Sequence, residues 1–171
     1  DRGLVFQSYS LFPWRTVEGN IAFGLELAGV DRDTIRTRVS ELLEVMNLTK
    51  WAGARPSQLS GGMRQRVAIA RSLATQPQVL LLDEPFGALD ALTRMELQEW
   101  LAEMSSEFGW TVLLVTHDVR EAVMLSDRVV VLSPRPASVA ATIEVPLPRP
   151  RRLDAFTDPA FVEVEATVLH A

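Results

Sequence analysis

An α/β fold, with a parallel sheet covered by helices and interrupted by a helical insertion, is predicted by two features of the chain. From residue 77 onward, apolar runs of strand length alternate with stretches of helical periodicity. Repeated strand-helix-strand order places successive strands parallel and puts helices on the faces of the sheet. Between residues 10 and 58 the apolar residues recur only at helical spacing, which marks an insertion without strands.

The elements follow in order. Gly3 to Gln7 reads as the tail of a strand with no turn or cap ahead of it. Val17, Ile21, Leu25 and Ala28 form the stripe of a first helix that Gly29 closes. Ile35, Val39, Leu42, Leu43 and Met46 repeat the pattern in a second. Met63, Val67, Ala70 and Ala74 mark a third, opened by Gly61-Gly62 and stopped before Pro77. The run 78–83 is a strand, and its unbroken apolar stretch from Val79 to Leu82 predicts burial on both faces. Leu97, Trp100, Leu101, Met104 and Phe108 line the next helix, closed by Gly109. Strand 110–116 leads to a short helix from Asp118, where Glu121 stands at the capping-box position. Strand 128–132 and a further strand at 138–145 follow. Pro146, Pro148 and Pro150 then extend the chain before a C-terminal helix at about 159–170. Four segments result: a strand end and loop at 1–9, a helical subdomain at 10–76, a parallel α/β core at 77–145, and a connector with its helix at 146–171.

Composition removes several classes of function. The 171 residues are 47% hydrophobic and 23% charged, enough for one domain with a real core. A net charge of -5 argues against a broad nucleic-acid surface, and Arg64, Arg66 and Arg71 read as one helix surface. The absence of cysteine excludes disulfides, thiolate metal sites and a cysteine nucleophile. The two histidines, His117 and His170, lie far apart in sequence. No apolar run approaches the roughly 20 residues that span a bilayer.

Two strands end in polar groups. In an open parallel sheet, ligands bind beyond the carboxyl ends of strands, and there the chain carries Asp83-Glu84 and Thr116-His117-Asp118. Either ending alone reads equally well as an ordinary turn; together they place two carboxylates and an imidazole along one rim. Ser60-Gly61-Gly62 opens the third helix with uncovered N–H groups, a geometry suited to phosphate. In isolation the same tripeptide reads first as a plain helix start.

These motifs, taken in order, resemble the nucleotide-binding domain of ABC transporters. The resemblance rests on Leu59 to Arg71, Val79 to Asp90 and Thr116-His117-Asp118, with 23 residues from Ser60 to Asp83 and 34 from Asp83 to His117. Val5-Phe6-Gln7 is similar to the glutamine loop of that family. Gln7 to Trp14, Ser133 to Pro136 and Pro146 to Arg152 resemble the nitrate, sulfonate and taurine importer branch. The resemblance implies a partial P-loop NTPase-type sheet, with ATP and Mg²⁺ as nucleotide and metal. It implies Asp83 and Gln7 at the metal, Glu84 as general base, and His117 at the γ-phosphate. It further implies that Gln7 reports nucleotide state, that Ser60, Gly61 and Gly62 bind the γ-phosphate held by a second ATP-binding subunit in a head-to-tail dimer, and that Asp90 couples the two sites. Met63 stands where many members carry glutamine, which leaves the backbone N–H groups unaffected.

The family's G-x-x-x-x-G-K-[ST] cradle is not in the chain, whose one lysine is Lys50, between Thr49 and Trp51. The resemblance places that cradle before Asp1, so the chain is expected to be the C-terminal part of a longer ATPase, inactive alone and exposing apolar sheet edge. The expected role is to energise an importer from the inner face of the cell membrane. Its partners would be transmembrane permease subunits and, indirectly, a solute-binding protein, with no nucleic acid. Tyr9, Leu11, Phe12 and Trp14 read equally as a permease-docking surface and as local core. A soluble ABC-type ATPase and a non-catalytic fragment are the alternatives.

Overall fold

The computed structural model describes residues 2–171. Strands β1 (Arg2–Val5), β2 (Val79–Asp83) and β3 (Thr111–Val115) form a parallel sheet in that order. The helical insertion supplies α1 (Val17–Leu27) and α2 (Arg32–Val45), each with a side-chain N-cap, from Thr16 and Asp31 respectively. Helix α3 (Gly61–Ala74) begins directly after Ser60. Beyond β2 come α4 (Ala91–Phe108) and, beyond β3, α5 (Val119–Leu125). Gly109 closes α4 at φ 63°, a left-handed conformation in which glycine carries no steric penalty.

The main core joins α1 to α4 with the three parallel strands. Val5, Leu80 and Leu82 are each 1% exposed, and Asn20, also fully buried, ties the insertion to the preceding loop. Its side chain accepts from the Phe12 N–H at 2.8 Å and donates to the Phe12, Arg15 and Thr16 carbonyls.

The outer strands depart from expectation. β2 is buried on one face only: Leu80 and Leu82 face the core, whereas Val79 and Leu81 are half-buried. Strand β4 (Arg128–Leu132) does not join the parallel sheet. It pairs antiparallel with β5 (Val139–Glu144), and the two form a separate ladder. The short return from residue 133 to 138, closed by Ser133 N–H on the Ser138 carbonyl, suits a hairpin, whereas a parallel pair needs a long crossover. An apolar cleft of about 720 Å³ separates β3 from β4. Leu113, Val115, Val130 and Leu132, the exposed apolar residues of these two strands, are all about half accessible or more.

A second, smaller core holds the C-terminal part together. Met124, Val145, Phe161 and Val168 meet there, with α6 (Pro159–Leu169) packed on α5. The proline-rich connector is fastened by two arginines. Arg151, 3% exposed, donates to the carbonyls of Val123, Met124 and Ser126 at the end of α5 and to those of Val145 and Leu147. Arg149 bonds Asp127, the Leu125 carbonyl and the Ser105 hydroxyl. A cation at a helix C-terminus meets the negative end of the dipole and its unpaired carbonyls together.

Arg151→Met leaves those buried carbonyls without their donor and is expected to cost about 2–4 kcal/mol. Urea unfolding followed at the far-UV helix signal measures it, and a variant as stable as the parent would contradict the role given to this side chain.

Candidate active site

The parallel register brings three chain segments out of the sheet side by side. Val5 pairs with Leu82, and Asp83 with Val115, so Gln7, Glu84 and His117 all lie just beyond strand ends. Glu84 makes the tightest turn. Its N–H still donates to the Val115 carbonyl at 2.9 Å, while its φ of 43° lies in the left-handed region. That conformation costs a non-glycine residue about 1–2 kcal/mol. Phe86, 1% exposed, anchors the chain immediately afterwards.

The turn presents the Glu84 carboxylate to both neighbours. Oε2 accepts from Gln7 Nε2 at 3.1 Å, and Oε1 lies 3.2 Å from His117 Nδ1. A carboxylate only accepts, so this contact is a hydrogen bond when His117 carries its proton on Nδ1. The arrangement can polarise a water while leaving the outer imidazole nitrogen directed elsewhere. Asp83 is exposed at the tip of β2. Its carboxylate and the amide oxygen of Gln7, whose nitrogen is engaged by Glu84, are the hard oxygen donors that Mg²⁺ takes alongside phosphate and water. No group of three or more His, Cys, Asp or Glu among the described residues is arranged to hold a metal ion by itself, and a magnesium bound chiefly through substrate needs none.

Ser60, Gly61, Gly62 and Asp90 stand apart from that cluster, at the starts of two packed helices. The Ser60 hydroxyl accepts from the Met63 N–H, capping α3, and Asp90 Oδ1 accepts from the Thr93 N–H, capping α4. The Thr93 hydroxyl and N–H hold the exposed Asp90 carboxyl below its ordinary range. Close packing accounts for both glycines. A Cβ on Gly62 would come 2.5 Å from Thr93 Cγ2, and one on Gly61 3.0 Å from Leu89 Cδ2. The N-terminus of α3 thus approaches α4 more closely than any side chain allows.

The basic residues of α3 turn inward. Arg64 donates to the Leu59 carbonyl and covers the Tyr9 ring; Arg66 donates to the Met46 carbonyl. Arg71 holds the Tyr9 and Ser10 carbonyls and stacks over Phe12. The aromatic segment is therefore divided. Phe12 is wedged against Phe23 at 4.5 Å, whereas Trp14 is 69% exposed.

Glu121 is the polar group that the sequence pattern misplaces. Its N–H does donate to Asp118 Oδ1 at 3.2 Å, but its side chain does not return to the Asp118 N–H, which donates to Thr116 Oγ1 instead. The carboxylate is 5% exposed and accepts from Gln98 Nε2 at 3.2 Å. Burial pushes its pKa up to about 7 and Asp118 adds to the rise, against hydrogen bonds from Thr116 and Gln98 and the charge of Arg94. The only sequence signal would have been Gln98, a polar residue between apolar Leu97 and Trp100 on the buried stripe of α4.

Residues 1–87 match the family model described as ABC transporter. The nitrate import ATP-binding protein NrtC of Synechococcus elongatus is 49% identical over 99% of this chain and 26% of its own length. The taurine import ATP-binding protein TauB of Rhizobium johnstonii is 51% identical over 85% of this chain and 55% of its own. The chain spans about two thirds or less of the length of the curated relatives it matches. Among solved structures, cbiO1 from Clostridium perfringens, part of the ABC transporter complex cbiONQ, superposes with a TM-score of 0.69 at 34% identity, over 75% of this chain and 52% of that one.

A carboxyl whose pKa rises on folding favours the folded state when protonated. The contribution of Glu121 is therefore full below its ordinary 4.5 and is lost as pH climbs through about 7. The expected loss is about 3 kcal/mol. Denaturant unfolding at a series of pH values should show this slope in the parent and lose it in Glu121→Gln; equal slopes in the two proteins would contradict the assignment.

Proposed function

The chain belongs to the ABC transporter family, and we propose that it is the ATP-binding and ATP-hydrolysing part of an importer energised from the cytoplasmic face of a membrane. The observation that carries this reading is the meeting of Gln7, Glu84 and His117 at one sheet end. In the proposed reaction Glu84 is the general base, drawing the proton from the water that attacks the γ-phosphate of ATP. His117, with Nδ1 on Glu84, offers a donor to phosphate from Nε2 only when the ring is doubly protonated. Asp83 and Gln7 would hold Mg²⁺, whose bound charge neutralises phosphate oxygens.

The N-terminus of α3, where Ser60 is exposed, Gly61 half-buried and Gly62 buried, would bind the γ-phosphate held by a second subunit across a head-to-tail dimer. Its helix dipole and uncovered N–H groups favour an anion. Asp90, at the start of the helix packed beside it, would cross to that subunit and couple the two sites. The G-x-x-x-x-G-K-[ST] cradle is not among these residues, so the proposed chemistry belongs to an assembly that supplies it. No helix among the described residues is long and apolar enough to cross a membrane; transmembrane permease subunits would provide the path and a solute-binding protein the cargo. The solute proposed is small and of the nitrate, sulfonate or taurine type. Import proteins named for nitrate and for taurine are similarly identical to this chain, which supports a choice of solute made by other subunits.

In the assembled transporter Glu84→Gln is expected to lower ATP turnover by about 10²–10⁴ while sparing ATP binding. Turnover within a few-fold of the parent would refute the base assignment. Trp14 is the proposed permease contact. Trp14→Ala should leave unfolding within about 0.5 kcal/mol of the parent but lower transport per ATP hydrolysed, whereas Phe12→Ala should cost about 2 kcal/mol in stability. Unchanged coupling in Trp14→Ala would remove that residue from the interface.

A further inference from the structure

The His117 ring is largely exposed, with 76% of its side chain accessible. Packing on the ring therefore does little to hold it beside Glu84; the backbone that carries it must do so. That backbone is fastened by bonds that converge on one interior carboxylate. The Asp118 N–H donates to Thr116 Oγ1 at 3.0 Å, and Thr116 lines one small cavity together with Glu121, where its hydroxyl favours the ionised Glu121 carboxyl. The Glu121 N–H closes the turn on Asp118 Oδ1, and Gln98 on α4 holds the Glu121 carboxylate from the other side. The interior part of this network is buried: Gln98 and Glu121 are each 5% exposed.

A small polar cavity of about 40 Å³ adjoins the network, lined by Glu84, Arg94, Thr116, His117, Asp118 and Glu121. Glu121 Oε1 and Arg94 Nε are buried with no hydrogen-bond partner. A space of this size between such groups accommodates a water. Arg94 from α4, Glu84 from the turn after β2, and His117 and Asp118 from the loop before α5 are the charged or titratable groups that face it.

We propose that Glu121 is a positioning residue for the hydrolytic pair: held by Gln98 and acting through Thr116, it sets the turn that directs His117 Nδ1 at Glu84. The proposal rests on the reading of Glu84 and His117 given above, and it adds a residue that touches neither nucleotide nor the attacking water. An interior carboxyl with a pKa of about 7 also makes the network responsive near neutrality, because protonation exchanges an acceptor for a donor.

The test is the tautomer of His117, read by ¹⁵N NMR of the full chain at a pH where the ring is neutral, with His170 as internal reference. The Glu84 contact selects the Nδ1–H form, whereas an unconstrained imidazole favours Nε2–H. The parent is expected to show Nδ1–H at His117. Glu121→Leu and Thr116→Val, each checked for native circular dichroism, should shift it to Nε2–H, and Glu121→Gln, which still accepts from Thr116, should keep the parental form. Should Glu121→Leu fail to fold, Thr116→Val decides by itself. A purely structural role would lower stability without changing the tautomer of folded variants, so a parental tautomer in any folded Leu or Val variant overturns the proposal, as does Nε2–H in the parent. Failure of the hydrolytic reading would appear separately, as ATP turnover that survives Glu84→Gln with the tautomer series intact.

Discussion

The parallel register of β1, β2 and β3 is the constraint on which the site depends. With Val5 opposite Leu82 and Asp83 opposite Val115, three chain segments separated by long stretches of sequence leave the sheet at one level. A slip of one residue in β2 would turn Leu80 and Leu82 out of the core and carry Glu84 to the other side of the strand. Burial of these leucines therefore specifies the position of the carboxylate as firmly as any contact made by the carboxylate itself. The left-handed backbone at Glu84 is held by this frame. Leu82 ahead of it and Phe86 behind it are both buried, so the local strain cannot relax by shifting either.

Around this frame, side chains that a composition count would class as surface charge serve to lock loops. Arg71 draws the Tyr9–Ser10 backbone onto α3, and Arg151 gathers five carbonyls where α5 ends and the connector passes. Guanidinium suits such places because its fork of donors satisfies several carbonyls at once and it remains weakly hydrated. The two helices that begin at Ser60 and Asp90 are brought together by a different device, the lack of any side chain at Gly62 where Thr93 presses in. The same glycines thus meet a packing requirement and leave N–H groups uncovered, and neither explanation displaces the other.

Much of the fold could be read from the chain because local signals agreed with tertiary structure. Thr16, Asp31, Ser60 and Asp90 all cap helices, as short polar side chains before apolar periodicity should. Strand partnership was less legible, since an apolar run such as Val129 to Leu132 does not encode which edge it joins; the short hairpin return to β5 decides it. The half-exposure of Val79 and Leu81 was hidden for a related reason, because an apolar sequence states what can be buried and not what covers it. At the site, the nearness of Glu84 and His117 was foreseeable from strand ends, whereas Gln7 was expected there only from the family resemblance. Glu121 was not, because three residues after an N-cap a glutamate ordinarily faces water, and only the Gln98 side chain from another helix reveals why this one turns inward. Arg149 and Arg151 were equally opaque inside a proline-rich stretch that reads as exposed.

We propose that the acidic tip of β2, with Gln7 and His117, forms one half of a composite ATP site whose other half is the start of α3 in a second subunit. A structure of the assembled transporter carrying Glu84→Gln, with ATP and Mg²⁺ bound, tests this arrangement. The γ-phosphate is expected within hydrogen-bond reach of His117 in one subunit and of the Ser60–Gly62 backbone in the other. A triphosphate seated away from residues 84 and 117, or flanked by residues of one subunit alone, would contradict it.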